Sequence, residues 1–110
     1  MLAPDRRSAR RIIKKIQLRF RPLKTPSLPE QPAASLNIST HGIYFATDAE
    51  VSEGLLIQVL LKMPHEIAGD GEKEWRFTGR VAHVESLDAA NEKSGVGVQF
   101  LYYEPPHPSV

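Results

Sequence analysis

Prolines and glycines break this chain into short segments. Nine prolines and seven glycines are spread over 110 residues, and neither residue suits the interior of a helix or of a central strand. Between the breaks, apolar and polar residues alternate. In the first such run, Ile16, Leu18 and Phe20 alternate with polar residues, which is typical of a strand with one buried face. The chain therefore favours short strands around the single core that a domain of this size can bury.

Six segments show a strand pattern, and they predict an all-β fold, a six-stranded antiparallel β-barrel. The fourth segment is almost continuously apolar, so its periodicity does not separate a buried strand from a helix. Its short length between Gly54 and Pro64 favours a strand. The six segments cover residues 16–21, 34–39, 43–47, 55–63, 75–84 and 96–100.

Alternation within these segments also predicts which side chains share a face. Ala34, Leu36 and Ile38 alternate with polar residues in the second segment, so we expect all three on the buried face. In the fifth segment the same spacing predicts that His83 shares a face with Phe77.

The remaining segments are predicted to be termini and connections. Residues 1–11 are expected to form a flexible basic arm, although residues 8–15 would also tolerate a helix. Residues 12–103 would form the barrel and residues 104–110 an irregular, proline-rich tail. Four prolines from Pro22 to Pro32 predict an exposed, polyproline-like linker between the first two strands. A loop is expected at residues 88–95.

Charge is distributed unevenly along the chain. Residues 1–29 contain nine basic residues and one acidic residue, a net charge of +8, whereas the remainder contains five basic and twelve acidic residues, a net charge of −7. A basic arm favours an anionic partner, such as nucleic acid, a nucleotide or acidic lipid. The alternative is a solvated arm that pairs with the acidic body of the protein.

The composition gives little support to catalysis or metal binding. The chain has no cysteine, which excludes disulfides, thiolate metal sites and cysteine nucleophiles. Its four histidines lack the spacing of metal ligands, and Ser39 near His41 has no positioned acid to orient the imidazole. No apolar run reaches the length of a membrane span. No apolar segment follows the charged start, so no signal peptide is predicted. We therefore expect a cytoplasmic protein that is not an enzyme, has no cofactor and does not associate with a membrane.

A polar turn at residues 37–42 (NISTHG) separates the second and third predicted strands. By itself this segment needs only a β-hairpin or a bulge, because Asn and Ser side chains bond nearby backbone and Gly accepts positive φ. The N-terminal arginines add a second feature. Arg7 and Arg11 are four positions apart, as are Arg6 and Arg10. Guanidinium groups bond guanine O6 and N7, stack on purines and neutralise phosphate, so either pair suits a ligand that is both purine and phosphodiester.

Together the two features resemble the PilZ domain family, bacterial receptors for cyclic di-GMP. The family pattern is Arg-x-x-x-Arg followed, one strand later, by Asp/Asn-x-Ser-x-x-Gly. Asn37, Ser39 and Gly42 fit all three specified positions of the second motif. The resemblance implies that Asn37 and Ser39 bond the ligand from the barrel surface, and that Gly42 lets the backbone approach it closely.

The resemblance also selects among the arginines. The family's first strand begins directly after its second motif arginine, and residues 11–20 are similar to that strand, which favours Arg7 and Arg11. These two side chains would then hold guanine edges and phosphates. Arg6 would add charge near a second cyclic di-GMP molecule, as part of an intercalated pair.

Two further segments, residues 79–81 and 95–100, look like the last two strands of the family. The linker between the first two strands is longer and richer in proline than family members usually have, and the tail cannot sustain the helix that ends many PilZ domains. The implied function is a cyclic di-GMP receptor or adaptor that changes conformation on binding and regulates an effector protein, in the control of motility, biofilm or exopolysaccharide.

Two alternatives remain at this point. One is a nucleotide-blind, PilZ-like adaptor that acts only through protein contacts. The other is a small nucleic-acid-binding barrel that uses the basic arm. The second alternative is disfavoured, and no nucleic acid is expected as a partner, because Tyr44, Trp75, Tyr102 and Tyr103 are not expected to form the aromatic row of a single-strand binder.

Overall fold

Six antiparallel strands close into a barrel in the part of the chain that the computed structural model describes, residues 13, 15–24, 29–62 and 74–104. Around the barrel the strands follow the order β1-β2-β3-β6-β5-β4, so the predicted six-stranded antiparallel barrel is confirmed. The predicted arm at residues 1–11 lies outside the described residues, as do residues 105–110 of the predicted tail. The strands are β1 Gln17–Pro22, β2 Gln31–Ile38, β3 Gly42–Thr47, β4 Leu56–Lys62, β5 Glu74–Asp88 and β6 Lys93–Glu104.

The barrel encloses one apolar core to which every strand contributes. Phe45 is fully buried and its ring lies 4.9 Å from that of Phe20, so the two rings fill the middle of the barrel. The apolar segment of uncertain type is strand β4, in which Ile57, Val59 and Leu61 alternate and belong to the core cluster. The buried apolar cluster consists of Leu18, Phe20, Ile38, Ile43, Phe45, Ile57, Val59, Leu61, Phe77, Val81, Val96 and Val98.

A β-bulge in β2 changes the predicted face of Leu36 but not that of Ile38. Pairing with β3 shifts between Ser35 and Asn37, so the intervening Leu36 has no partner in the regular ladder. As a result Ser35 is fully buried, whereas Leu36 is 41% exposed. The prediction that Leu36 faces the core was wrong, because period-2 reasoning holds only while the register is continuous.

A second irregularity corrects the predicted face of His83. The pairing of β5 with β6 shifts between Val81 and His83, which places Val81 in the core and His83 on the exposed outer face. His83 therefore does not share a face with Phe77. Further shifts in the same pairing lie between Thr78 and Gly79 and between Ser86 and Asp88.

The connections are shorter than predicted. Strand β2 already begins at Gln31, and its Pro32 pairs with Arg19; a proline is tolerated there because it lies at the start of the strand. Only residues 23–30 connect β1 to β2, and residues 25–28 lie outside the described part. The expected loop at residues 88–95 is a single 3-10 turn followed by Glu92 with φ of 55°, so β6 begins at residue 93.

The direction of the strands gives the barrel two distinct ends. The β2–β3 turn lies at one end, together with the start of β1, the end of β4, the start of β5 and the end of β6. We call this the turn end of the barrel. Among the described residues, no helix is long and apolar enough to cross a membrane.

Candidate functional site

The turn between β2 and β3 is held by its own hydrogen bonds. The Ser39 backbone N–H donates to the carbonyl of Gly42 at 2.9 Å, and the Ser39 hydroxyl accepts from the backbone N–H of His41 at 3.1 Å. The carbonyl of His41 in turn accepts from the backbone N–H of Phe100 at 2.9 Å, which ties the turn to β6. Ser39 is only 2% exposed, and its hydroxyl oxygen already accepts a hydrogen bond within the turn. The side chain therefore stabilises the turn.

Gly42 is required by a close approach of two strands. A Cβ atom at this position would lie 2.4 Å from the carbonyl oxygen of Val98, well inside van der Waals contact. The described glycine with positive φ is Gly54, not Gly42, so the reason given from the sequence was wrong at this position. Because β3 and β6 pack closely beside the turn, only a glycine fits at this position.

Asn37 lies directly before the turn, on the strand segment that follows the bulge. It is half-buried and pairs with Tyr44 across β2 and β3. The three residues of the second motif, Asn37, Ser39 and Gly42, are therefore brought together at the turn end of the barrel. They differ in role, since Ser39 and Gly42 shape the backbone while Asn37 lies at the surface.

The chain that leads to the arm is fastened to β2 close to Asn37. The backbone N–H of Ile16 donates to the hydroxyl of Ser35 at 2.9 Å, and the backbone N–H of Ser35 donates to the carbonyl of Ile16 at 2.9 Å. Ser35 is fully buried and Ile16 is half-buried, so the Ser35 hydroxyl of this reciprocal pair is shielded from water. It fixes the point from which the chain continues toward its N-terminus.

The other half of the expected site lies outside the described residues. Arg6, Arg7 and Arg11 all precede residue 13, the first described position. Their roles stay predictions.

Tyr44, which the sequence did not indicate as a site residue, lies on the outer face next to Asn37. The ring of Tyr44 lies across two glycines of β6: a Cβ at Gly95 would fall 2.6 Å from its Cζ atom, and one at Gly97 would fall 3.8 Å from its Cδ1 atom. Tyr44 is half-buried. The absence of side chains at both glycines lets the ring lean against the sheet, and it crosses β6 toward β5.

The hydroxyl of Tyr44 is anchored on β5. It donates to a carboxylate oxygen of Glu85, whose other oxygen lies 3.1 Å from Nε2 of His83. The hydrogen bond to Glu85, together with burial and the negative charge of the carboxylate, raises the pKa of Tyr44 to about 12. Conversely, the hydrogen bonds from Tyr44 and His83 lower the pKa of Glu85. The anchor therefore persists at neutral pH, with the hydroxyl protonated and the carboxylate charged.

A positively charged side chain lies in the neighbouring row of the same outer face. Gly42 pairs with Gln99 on β6, and Gln99 pairs with Arg80 on β5. The exposed guanidinium of Arg80 donates to Oε1 of Gln99 at 3.2 Å. The outer face beside the turn thus combines an amide, an aromatic ring and a cation, which together suit an anionic ligand with an aromatic part.

An aromatic pocket of about 370 Å³ adjoins the turn at Thr40. Two of the four aromatic residues considered from the sequence, Trp75 and Tyr103, stack here with centroids 5.0 Å apart, whereas the rings of Tyr44 and Tyr102 have no aromatic partner among the described residues. Alternation could not reveal this contact because it depends on the pairing of β5 with β6. The pocket is lined by Thr40, Phe77, Phe100, Leu101, Tyr102 and Tyr103.

A second cavity, of about 450 Å³, lies at the end of the barrel opposite the turn. Its lining includes Phe20 and Ile57 and carries Asp48 and Glu50, so it contains none of the expected site residues. Within the described ranges, no three His, Asp or Glu side chains are grouped so that they could hold a metal ion.

Comparisons with known proteins agree with this architecture. A family model for the PilZ domain matches residues 5–108. The fold is similar to that of the inhibitor of motility MotI/DgrA from Bacillus subtilis, with a TM-score of 0.71 and 17% identity over 92% of this chain and 45% of that chain. It is also similar to the PilZ domain of YcgR from Escherichia coli, a structure with c-di-GMP, with a TM-score of 0.59 and 16% identity over 88% of this chain and 79% of that chain.

The chain therefore spans less than half the length of the MotI chain. A comparison with curated protein sequences found no match. At identities of 16% and 17%, the two solved structures support the fold, and the family match indicates no class of enzyme.

Proposed function

Because the chain belongs to the PilZ domain family, we propose that it is a non-enzymatic cytoplasmic receptor for cyclic di-GMP that regulates a partner protein. The YcgR structure to which its fold is similar contains c-di-GMP. One observation carries the proposal to this chain: the hydrogen-bonded pair of Ile16 and Ser35 attaches the N-terminal segment beside Asn37.

Chain length makes a meeting of the two motifs possible. Arg11 precedes Ile16 by five positions, so it lies within about 18 Å of that anchor even when the chain is extended. Asn37 follows Ser35 by two positions, or about 7 Å along the strand. A ligand on the outer face next to Asn37 is therefore within reach of Arg11, and Arg7 is four residues further along.

The two halves of the proposed site differ in mechanical character. The turn at residues 39–42 is fixed by backbone hydrogen bonds and forms a rigid wall. We propose that residues 1–11 act as an arm whose Arg6, Arg7 and Arg11 bind phosphates and guanine edges. Closure of this arm over the ligand would change the surface that the protein offers to its partner, which is how binding would be transmitted.

Isothermal titration with cyclic di-GMP tests the proposal. Wild-type protein is expected to bind, Arg11→Ala to lose binding by at least about a hundredfold, and Asn37→Ala to weaken it. Arg76→Ala is the matched control, because Arg76 is an exposed arginine whose partner is Glu104 at 3.3 Å, and it should bind like wild type. Absence of binding by the wild-type protein contradicts the proposal. A stoichiometry of two that falls in Arg6→Ala supports the intercalated pair.

A second candidate function is a nucleotide-blind adaptor, favoured by the apolar surface beside the turn. Leu101, Tyr102 and Tyr103 are 45%, 60% and 53% exposed, and all three line the aromatic pocket. Exposed aromatic residues in a pocket are typical of protein-binding sites. The same titration separates the two functions, because an adaptor of this kind gives no heat with cyclic di-GMP while it still binds its partner.

A further inference from the structure

The ring of Tyr44 is fixed as a flat surface on the outside of the barrel. Its inner side rests against Gly95 and Gly97 of β6, and its hydroxyl is held by Glu85 on β5. A tyrosine on a strand normally stands away from the sheet because the neighbouring strand carries side chains of its own. Here two positions of the neighbouring strand carry none, so the ring lies low across β6.

The outer side of this ring faces away from the sheet. Within the described part of the chain, no other aromatic ring packs against Tyr44. The ring covers the backbone of two glycines rather than apolar side chains. Its position is therefore not explained by core packing, and the residue remains partly exposed to solvent.

The surroundings of the ring suit a purine nucleotide. Asn37 is the partner of Tyr44 on one side, and His83 is the partner of Gly97 on the other, so donor and acceptor groups border the ring at both edges. Arg80 lies in the adjacent row, where its cation can meet a phosphate. Proteins that bind nucleotides without sequence preference combine an aromatic ring, on which the base stacks, with positively charged side chains that contact the phosphate.

We propose that Tyr44 is the stacking platform for one guanine base of the bound cyclic di-GMP. This inference rests on the proposed function and assigns the base to a residue outside both sequence motifs. Gly95 is then part of the site, since a side chain at this position would collide with the ring.

Titration of variants with cyclic di-GMP tests the platform. Tyr44→Leu removes the ring and is expected to weaken binding by at least about tenfold, the loss typical of a base–aromatic stack. Tyr44→Phe keeps the ring and should remain within about threefold of wild type. Tyr102→Leu is the matched control, because Tyr102 is 60% exposed on the same strand, β6, and it should bind like wild type.

The outcomes separate this inference from the proposed function. If the wild-type protein does not bind cyclic di-GMP, both are overturned. If the wild type binds and Tyr44→Leu loses less than threefold, or if Tyr102→Leu loses as much, the receptor function stands and the platform is overturned. Should Tyr44→Leu fail to fold, nuclear Overhauser contacts between guanine H8 and the Tyr44 ring protons in the wild-type complex decide the question, and their absence overturns the platform.

Discussion

The buried hydroxyl of Ser35 accepts a hydrogen bond from the backbone N–H of Ile16 at 2.9 Å, and the Ser35 N–H donates a hydrogen bond of the same length to the Ile16 carbonyl. The pair joins Ile16, the residue directly before β1, to the middle of β2. It places the start of the barrel against the strand that carries Asn37.

We expect Ser35→Ala to lower the free energy of unfolding by about 1–3 kcal/mol, because the Ile16 N–H loses its acceptor in a buried setting. Urea unfolding measures the loss, and hydrogen exchange at residues 15–17 should accelerate. Ser86→Ala serves as the control, since Ser86 is exposed on β5, and its effect should stay within about 0.5 kcal/mol. Equal effects of the two substitutions contradict a stabilising role for the Ser35–Ile16 hydrogen bonds.

Gly42→Ala is expected to cost about 1–3 kcal/mol of stability, since the new methyl group would meet a carbonyl oxygen of β6 at 2.4 Å and one of the two strands must move. Gly97→Ala provides the comparison. There the nearest atoms would lie at 3.5 Å and 3.8 Å, which is ordinary contact, so the change should stay within about 0.5 kcal/mol. Thermal melting of both variants measures the difference, and a Gly42→Ala protein as stable as wild type contradicts the close approach.

The bulge in β2 makes opposite predictions for two neighbouring apolar residues. Leu36→Lys should change stability by less than about 0.5 kcal/mol, because Leu36 is 41% exposed. Ile38→Lys should cost at least about 3 kcal/mol or prevent folding, because Ile38 is fully buried and an unpaired ammonium would enter the core. Circular dichroism with urea unfolding measures both variants. A strand without the bulge would make both substitutions equally damaging.

Glu85→Gln should lower the pKa of Tyr44 from about 12 toward its ordinary value of 10.0, because the strongest cause of the shift is the hydrogen bond to the carboxylate. A raised pKa in the folded state favours the protonated phenol there, so the contribution of this bond to stability is complete below pH 10 and is lost as the pH rises through about 12. Wild-type protein should therefore lose stability across that window more steeply than Glu85→Gln. NMR titration of the Tyr44 ring signals measures the pKa, and an unchanged pKa in the variant contradicts the hydrogen bond between Tyr44 and Glu85.

The fold was accessible from sequence because its strands are short, regular and bounded by turn residues. Alternation in segments such as Ile16–Phe20 and Val96–Phe100 indicated six strands, and the polar turns at short spacing between the strands predicted a closed antiparallel sheet. Alternation failed at Leu36 and His83, where a register shift moves the side chain to the opposite face. A bulge is set by pairing between strands, so it leaves no period in the strand's own sequence.

The candidate site was only partly accessible for the same reason. Asn37, Ser39 and Gly42 are close in sequence, so their meeting in one turn could be foreseen. Tyr44 and Gly95 are 51 positions apart and become neighbours only through the β3–β6 register. A glycine at every second position of a strand, as in Gly95-Val96-Gly97, is the signal that could have indicated a ring lying across it.

The alternating directions of the six strands bring both termini of the barrel to the turn end, since β1 starts there and β6 finishes there. Any reporter or tag fused before β1 or after β6 is therefore attached on the side of the candidate site, where it could obstruct the ligand or register its arrival. The hairpin tip at Ala89–Glu92 lies at the far end, and an inserted label there would leave the ligand's approach open. In an optical sensor based on the proposed binding of cyclic di-GMP, a label at the turn end is expected to respond to the ligand, whereas a label at the hairpin tip is not.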